Sequence, residues 1–164
     1  MAEAFNDRAI KGDKAARYAA VAEEIAAVLE GEPNPTARMA TVAAMLAATF
    51  EAYFWTGFYL VDPDRPGELV VGPYQGTLGC LRIPFGRGVC GAAAATRRTQ
   101  IVADVSAFPG HIACDSRSAS EIVVPVFDAQ NRLLGVFDVD SEQPGAFDAA
   151  DGQWLERILA QAFG

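Results

Sequence analysis

The chain has 164 residues, of which 51% are hydrophobic and 21% are charged. These fractions fit one globular domain with a single hydrophobic core and exclude a disordered chain. The net charge of −8 would repel phosphate backbones, so we expect no nucleic-acid partner. The apolar runs are shorter than the ~20 residues that cross a bilayer, and residues 1–14 lack the apolar stretch of a signal peptide. We therefore expect no membrane partner and a cytoplasmic protein.

The N-terminal part of the sequence predicts two helices and a hairpin. Apolar residues at helical spacing indicate helices over residues 13–29 and 36–50. An aromatic and β-branched run over 53–61 is followed by a turn at 62–67 and a return at 68–71.

The middle of the chain predicts smaller elements and one long loop. A short strand at 81–85, an alanine-rich helix at 91–98 and a strand beginning at Ile101 come first. Residues 104–120 show little periodicity, and a loop of that length in a compact domain is usually functional or mobile.

The C-terminal part predicts a second hairpin and a last helix. Strands over 121–127 and 133–139 flank a turn, and residues 147–163 form a helix that Asp148 or Asp151 could cap. Consecutive hairpins imply antiparallel pairing. We therefore predict an α+β fold with a central antiparallel sheet and helices mainly on one face.

The glycines of residues 86–91 match the dinucleotide-binding pattern G-x-G-x-x-G. That site requires a parallel βαβ unit, whereas this chain predicts hairpins. We therefore interpret the glycines as a turn that lets a helix start close to the sheet. Cys90 would lie near the helix N-terminus, where the helix dipole would lower its pKa.

The three cysteines cannot all pair within one chain, which argues against a secreted disulfide scaffold. Cys80, Cys90, Cys114 and His111 could form a Cys3His zinc site, but the chain has no C-x2-C pair, so we expect no metal. His111 is then a loop residue with one hydrogen bond.

Cys114 lies on a polar loop, either as an accessible nucleophile or as a small apolar residue that anchors the loop.

Three acidic residues accompany the C-terminal strands. Glu121 precedes an apolar run, and Asp138 and Asp140 are two residues apart on a strand, so they point to the same face. Like charges this close should raise at least one of their pKa values. The group is either a solvated strand end or a carboxylate cluster that binds a cation and holds a proton near neutral pH.

Several of these stretches together resemble the free methionine-(R)-sulfoxide reductases, which are built on a GAF-type domain. The match extends from about Trp55 to Trp154, and it includes all three cysteines, which a ligand-sensing GAF domain has no reason to keep in these contexts. The stretches are GPYQG at 72–76, Cys80, RIPFGRGVCG at 82–91, FPGHIACD at 108–115, SEIVVP at 120–125 and GVFDVDS at 135–141.

The resemblance implies one GAF-like domain over residues 1–164, with N-terminal helices in 1–50 and the sheet, active-site loop and last helix in 53–164. It implies catalytic roles for three cysteines: Cys114 as nucleophile, Cys80 as its resolving partner, and Cys90 as a third cysteine. Four further residues have implied roles: Trp55 as the aromatic wall around the substrate methyl group, Asp138 in substrate binding, and Glu121 and Asp140 in both substrate binding and proton donation.

The implied activity is reduction of free L-methionine-(R)-sulfoxide through a sulfenic acid and an intramolecular disulfide. Thioredoxin would recycle the enzyme, no cofactor is needed, and the family suggests a homodimer. Residues 77–79 depart from the usual pattern because they are more flexible and lack the common basic residue after Gly76. The alternative is a non-catalytic GAF sensor, which would need an output domain for which 164 residues leave no room.

Overall fold

The computed structural model describes residues 10–164 and has the predicted α+β architecture. Over this range it contains four α-helices, six β-strands and one 3-10 turn. The helices are α1 (Lys14–Val28), α2 (Pro35–Thr49), α3 (Gly88–Thr96) and α4 (Ala149–Phe163); the strands are β1 (Trp55–Val61), β2 (Glu68–Gln75), β3 (Arg82–Pro84), β4 (Gln100–Val102), β5 (Ser120–Phe127) and β6 (Leu133–Ser141); the 3-10 turn is Val105–Ala107.

The six strands form one sheet in the order β3-β2-β1-β6-β5-β4. Every neighbouring pair in it is antiparallel. This confirms the antiparallel prediction. The sheet has no parallel βαβ unit over the described range, so the glycines of 86–91 lie outside any dinucleotide-binding context.

Three of the helices begin where a polar side chain caps them. Asp13, Asn34 and Asp148 each accept a hydrogen bond from a backbone N–H in the first turn of α1, α2 and α4. The starts of these three helices are therefore confirmed to within one or two residues. Within residues 10–164, none of the helices is both long and apolar enough to span a bilayer.

The sheet divides the apolar interior into two clusters, because successive side chains of a strand point to opposite faces. Helices α1, α2 and α4 pack on one face, where Phe58 and Phe137 are fully buried. Helix α3 packs on the other face, against Tyr59 and Val136. The helices thus lie mainly on one face, as predicted, and α3 alone among the described helices covers the opposite one.

Two glycines shape the first turn of helix α3, and Gly91 lets the helix approach the sheet closely. It begins at Gly88, earlier than the predicted residue 91, with a φ of +61° that L side chains rarely adopt. A Cβ on Gly91 would lie 2.4 Å from the carbonyl oxygen of Pro84. The interpretation of these glycines as a turn that starts a helix near the sheet is confirmed.

Strand β2 extends beyond the predicted residue 71 to Gln75. The β1–β2 register shifts between Gly57 and Tyr59, and β3 pairs only with residues 68–70 of β2. Pro73 therefore lies at a local irregularity on an unpaired edge, where its missing N–H is tolerated. The extension brings the Tyr74 ring onto the sheet face that carries α3.

Candidate active site

The register of the sheet brings the three predicted carboxylates together. Glu121 of β5 lies directly opposite Asp140 of β6, and Trp55 of β1 lies opposite Asp140 on its other side. Strand β6 continues to Ser141, and the side chains of Glu121 and Asp138 are buried. The interpretation as a solvated strand end is therefore wrong, because these carboxylates lie within the sheet and under α3.

Burial raises the pKa of all three carboxyl groups. The pKa of Glu121 rises to about 8 and that of Asp140 to about 6, in each case mainly through loss of solvent. Burial also raises the pKa of Asp138 well above its usual range, and the charges of Asp140 and Glu121 add to this effect. The expected rise is confirmed, so the cluster holds at least one proton at neutral pH.

Cys90 contacts this cluster as a buried thiol. It is only 3% exposed, and its Sγ lies 3.9 Å from Oε1 of Glu121. Burial raises its pKa well above the usual range, and the neighbouring carboxylates raise it further. The expectation of a lowered pKa is wrong, because loss of solvent and nearby negative charge outweigh the partial charge at the N-terminus of α3.

Cys80 and Cys114 are joined by a disulfide bond, with their Cα atoms 5.4 Å apart. Cys114 lies on an exposed part of the loop before β5, and Cys80 is half-buried on the segment before β3. Because the disulfide takes two of the sulfurs, the Cys3His set considered above is not assembled. Instead, Cys90, Glu121 and Asp138 could together hold a metal ion, since one ligand atom from each lies within 4.8 Å of the others.

Hydrogen bonds of Thr77 and close packing at Gly79 hold the segment 77–79 in place. The Trp55 indole nitrogen donates to the Thr77 carbonyl oxygen at 2.9 Å, and the Thr77 hydroxyl donates to Asp115 Oδ2 at 2.8 Å. A Cβ on Gly79 would lie 2.9 Å from the Trp55 ring. These contacts fix a segment that the sequence suggested would be flexible, and they place Cys80 beside the Cys114 loop.

Two polar residues of the Cys114 loop reach the carboxylates. His111 Nε2 lies 3.5 Å from Glu121 Oε2, and the Ser118 hydroxyl donates to Asp140 Oδ1 at 2.6 Å. The hydrogen bond from Ser118 partly opposes the rise in the pKa of Asp140. Sequence reasoning missed Ser118, which belongs to no local pattern, and it considered His111 only as a zinc ligand or as a loop residue.

An aromatic stack forms one wall of the site. The Trp55 ring lies between Tyr74, at a centroid distance of 5.0 Å, and Tyr59, at 5.5 Å. Tyr59 was also missed from sequence, although strand alternation places it on the same face as Trp55.

One pocket is lined by Trp55, Cys90, Cys114 and the three carboxylates, and Cys80 is bonded to Cys114 at its edge. The structure thus brings together all the predicted site residues. Asp138 Oδ1 is buried without a hydrogen-bond partner. A buried polar atom is costly to leave unpaired, so this oxygen is available to a hydrogen-bond donor that enters the pocket.

Comparison with known proteins identifies related chains over most of this length. A GAF domain family model matches residues 32–162. The chain is 48% identical to GAF domain-containing protein A of Dictyostelium discoideum, over 91% of this chain and 92% of that one. It is 43% identical to the free methionine-R-sulfoxide reductase of Escherichia coli, over 88% of this chain and 85% of that one. The solved structure of free methionine-R-sulfoxide reductase from Neisseria meningitidis in complex with its substrate matches with a TM-score of 0.89 and 48% identity, over 94% and 91%.

Proposed function

Since the chain belongs to the GAF domain family and, within it, to the free methionine-R-sulfoxide reductases, we propose that it reduces free L-methionine-(R)-sulfoxide to L-methionine. The observation that carries this proposal is the meeting of a cysteine pair with three buried carboxyl groups at one pocket. A thiol nucleophile and a carboxylic acid with a raised pKa are the two groups that sulfoxide reduction requires.

The first step needs an acid at the sulfoxide oxygen. A sulfoxide sulfur becomes electrophilic when its oxygen is protonated or strongly hydrogen-bonded. Glu121, with a pKa of about 8, holds a proton at neutral pH, whereas Asp140, with a pKa of about 6, is mostly ionised there. Two carboxyl groups with separated pKa values provide a donor and a charge-stabilising partner.

Cys114 then attacks the sulfoxide sulfur as a thiolate. The oxygen passes formally to Cys114, which becomes a sulfenic acid, and methionine leaves reduced by two electrons. The Cys80 thiol attacks the Cys114 sulfur, the hydroxyl leaves as water, and the disulfide forms. The bond between Cys80 and Cys114 in the structure supports Cys80 as the resolving residue.

The remaining groups of the pocket suit the rest of the substrate. The unpartnered Oδ1 of Asp138 would accept a hydrogen bond from the substrate α-ammonium group. Trp55, fixed between two tyrosines, would contact the methyl group. Cys90, as a neutral thiol 3.9 Å from Glu121, would help to position that carboxyl group rather than supply electrons.

We further propose that thioredoxin restores the two thiols, as the family resemblance suggests. A cytoplasmic location belongs to the same proposal, because thiol reductants keep cysteines reduced there. A homodimer is part of the same proposal.

The test is turnover of free L-methionine-(R)-sulfoxide with dithiothreitol, beside its N-acetyl derivative and the S epimer. The acetylated nitrogen carries no charge, so it cannot form the ion pair with the Asp138 carboxylate that the free ammonium group would form. We expect discrimination on the order of 10²–10³-fold against the N-acetyl form. The S epimer exchanges oxygen and lone pair, so its oxygen would point away from the acid. A GAF sensor would bind the free sulfoxide without releasing methionine, and that result would refute the proposal.

A further inference from the structure

Two leucines beside the disulfide are largely exposed to solvent. Leu78 is 78% exposed and Leu81 is 71% exposed, more than Ile101 at 41% or Val28 at 37%, the other exposed large apolar residues between residues 10 and 164. They lie on either side of Cys80 in the sequence. A single exposed leucine requires no explanation, but two of them flanking one sulfur of a disulfide form a local apolar surface.

The segment that carries these side chains is packed against the sheet and hydrogen-bonded to it. The inner side of Gly79 is filled by Trp55 and by the Tyr59 hydroxyl, which would lie 2.9 Å and 3.0 Å from a Cβ at that position. The carbonyl oxygen of Leu81 accepts a hydrogen bond from the backbone N–H of Val71 at 3.0 Å. Residues 76–81 carry no charge in a chain with a net charge of −8. The segment therefore offers an apolar, uncharged and rigidly held surface.

From this placement we propose that Leu78 and Leu81 form the docking surface for the dithiol protein that reduces the Cys80–Cys114 bond. This inference rests on the proposed function, because a redox cycle needs such a partner. A protein thiol has to reach a disulfide sulfur to within bonding distance, so the partner must cover the residues beside that sulfur. An apolar surface around the partner's own thiol would bury both leucines.

The redox step follows from where the partner is seated. Cys80 lies between the two leucines, so the partner's thiolate attacks its sulfur first, forming a mixed disulfide and breaking the Cys80–Cys114 bond. Cys114 leaves as a thiolate. The partner's second thiol then attacks the partner's sulfur in the mixed disulfide and displaces Cys80 as a thiolate. The partner departs with its own disulfide, and the two cysteines of this chain have together gained two electrons.

The experiment compares two reductants on Leu81→Ser, because Leu81 does not line the pocket, whereas Leu78 lies at its rim. With thioredoxin, its reductase and NADPH, we expect the KM for thioredoxin to rise about 10-fold, as for a buried interface leucine. With dithiothreitol, turnover and the KM for the sulfoxide should stay at the wild-type values, which also reports correct folding. Leu81→Met keeps an apolar side chain and should restore the KM for thioredoxin.

The matched control is Ile101→Ser, on β4 at the opposite edge of the sheet, which should leave both assays unchanged. An unchanged KM for thioredoxin in both Leu81→Ser and Leu78→Ser would overturn the proposal. So would a change of oligomeric state in Leu81→Ser by sedimentation, since the leucines would then cover a second copy of the chain. If the wild type showed no turnover of the sulfoxide with dithiothreitol, the proposed function itself would be refuted.

Discussion

Glu121 and Asp140 face each other directly across the β5–β6 pair. Two acidic residues at opposed positions of antiparallel strands destabilise a sheet, and burial of this pair increases the cost. The fold reduces that cost by keeping a proton on the cluster, which is also what reduction of a sulfoxide requires. The same contact therefore lowers stability and supplies the acid.

The proton on Glu121 should make stability depend on pH. Its pKa is about 8 in the folded protein against an ordinary value of 4.5, so the folded chain holds a proton that the unfolded chain has released between these values. The free energy of unfolding should therefore fall as pH rises through this window, by at most about 1.4 kcal/mol per pH unit for one proton. Glu121→Gln should flatten this slope in denaturant unfolding of the oxidised protein at pH 5 to 8. The exposed Glu142→Gln is the control, and parallel curves for wild type and Glu121→Gln would contradict the expectation.

The two bonded cysteines should separate into different kinetic roles. Cys114→Ser should release no methionine, because a hydroxyl is too basic to attack sulfur without an activating base. Cys80→Ser should release about one methionine per chain and then stop with thioredoxin as reductant, since attack precedes resolution. Rapid quench and product analysis measure both variants. A Cys90–Cys114 link in the oxidised wild type, detected by mass spectrometry, would count against Cys80.

The three carboxylates should affect different constants. Glu121→Gln and Asp140→Asn should slow single-turnover methionine formation by on the order of 10²-fold if either supplies the proton. Asp138→Asn should mainly weaken binding of the sulfoxide, because its unpartnered oxygen is the proposed acceptor for the ammonium group. Equal single-turnover rates in wild type and all three variants would show that the cluster is not part of the chemistry.

The Thr77 hydroxyl should act on the second step only. It links the Cys80 segment to Asp115, the neighbour of Cys114. Thr77→Val removes this charge-assisted hydrogen bond, so disulfide formation after methionine release should slow by about 10-fold. Thr77→Ser keeps the hydroxyl and should behave like wild type. If Thr77→Val slowed the first methionine release as well, the contact would be positioning Cys114 for attack and not Cys80 for resolution.

Local patterns were sufficient to predict the elements and the carboxylate face. Strand alternation alone places Asp138 and Asp140 on one side of β6, and Asp148, one of the two caps considered, begins α4. The contact between His111 and Glu121 could not be predicted, because it depends on how a loop without periodicity folds over β5. Cys90 shows the same limit. Its position near the start of α3 is visible in the sequence, but its burial against carboxylates is a tertiary property.

The predicted element boundaries are wrong where a glycine or a proline lies inside an element. Gly88 opens α3 in a left-handed conformation without a capping side chain, so a propensity argument starts the helix too late. Pro73 lies within β2, where a sequence pattern would end the strand. In both places the decisive contact comes from another element, Pro84 of β3 for the helix and the irregular β1–β2 register for the strand.

The disulfide also determines how strongly the chain resists unfolding at each stage of its cycle. Its cysteines are 34 residues apart in sequence, and closing a loop of that length lowers the entropy of the unfolded chain by an amount worth roughly 4 kcal/mol. Each turnover would therefore move the protein between a dithiol form that is less stable against unfolding and a disulfide form that is more stable. When sulfoxide is abundant and reductant is scarce, the form that accumulates would be the one that heat and proteases attack least.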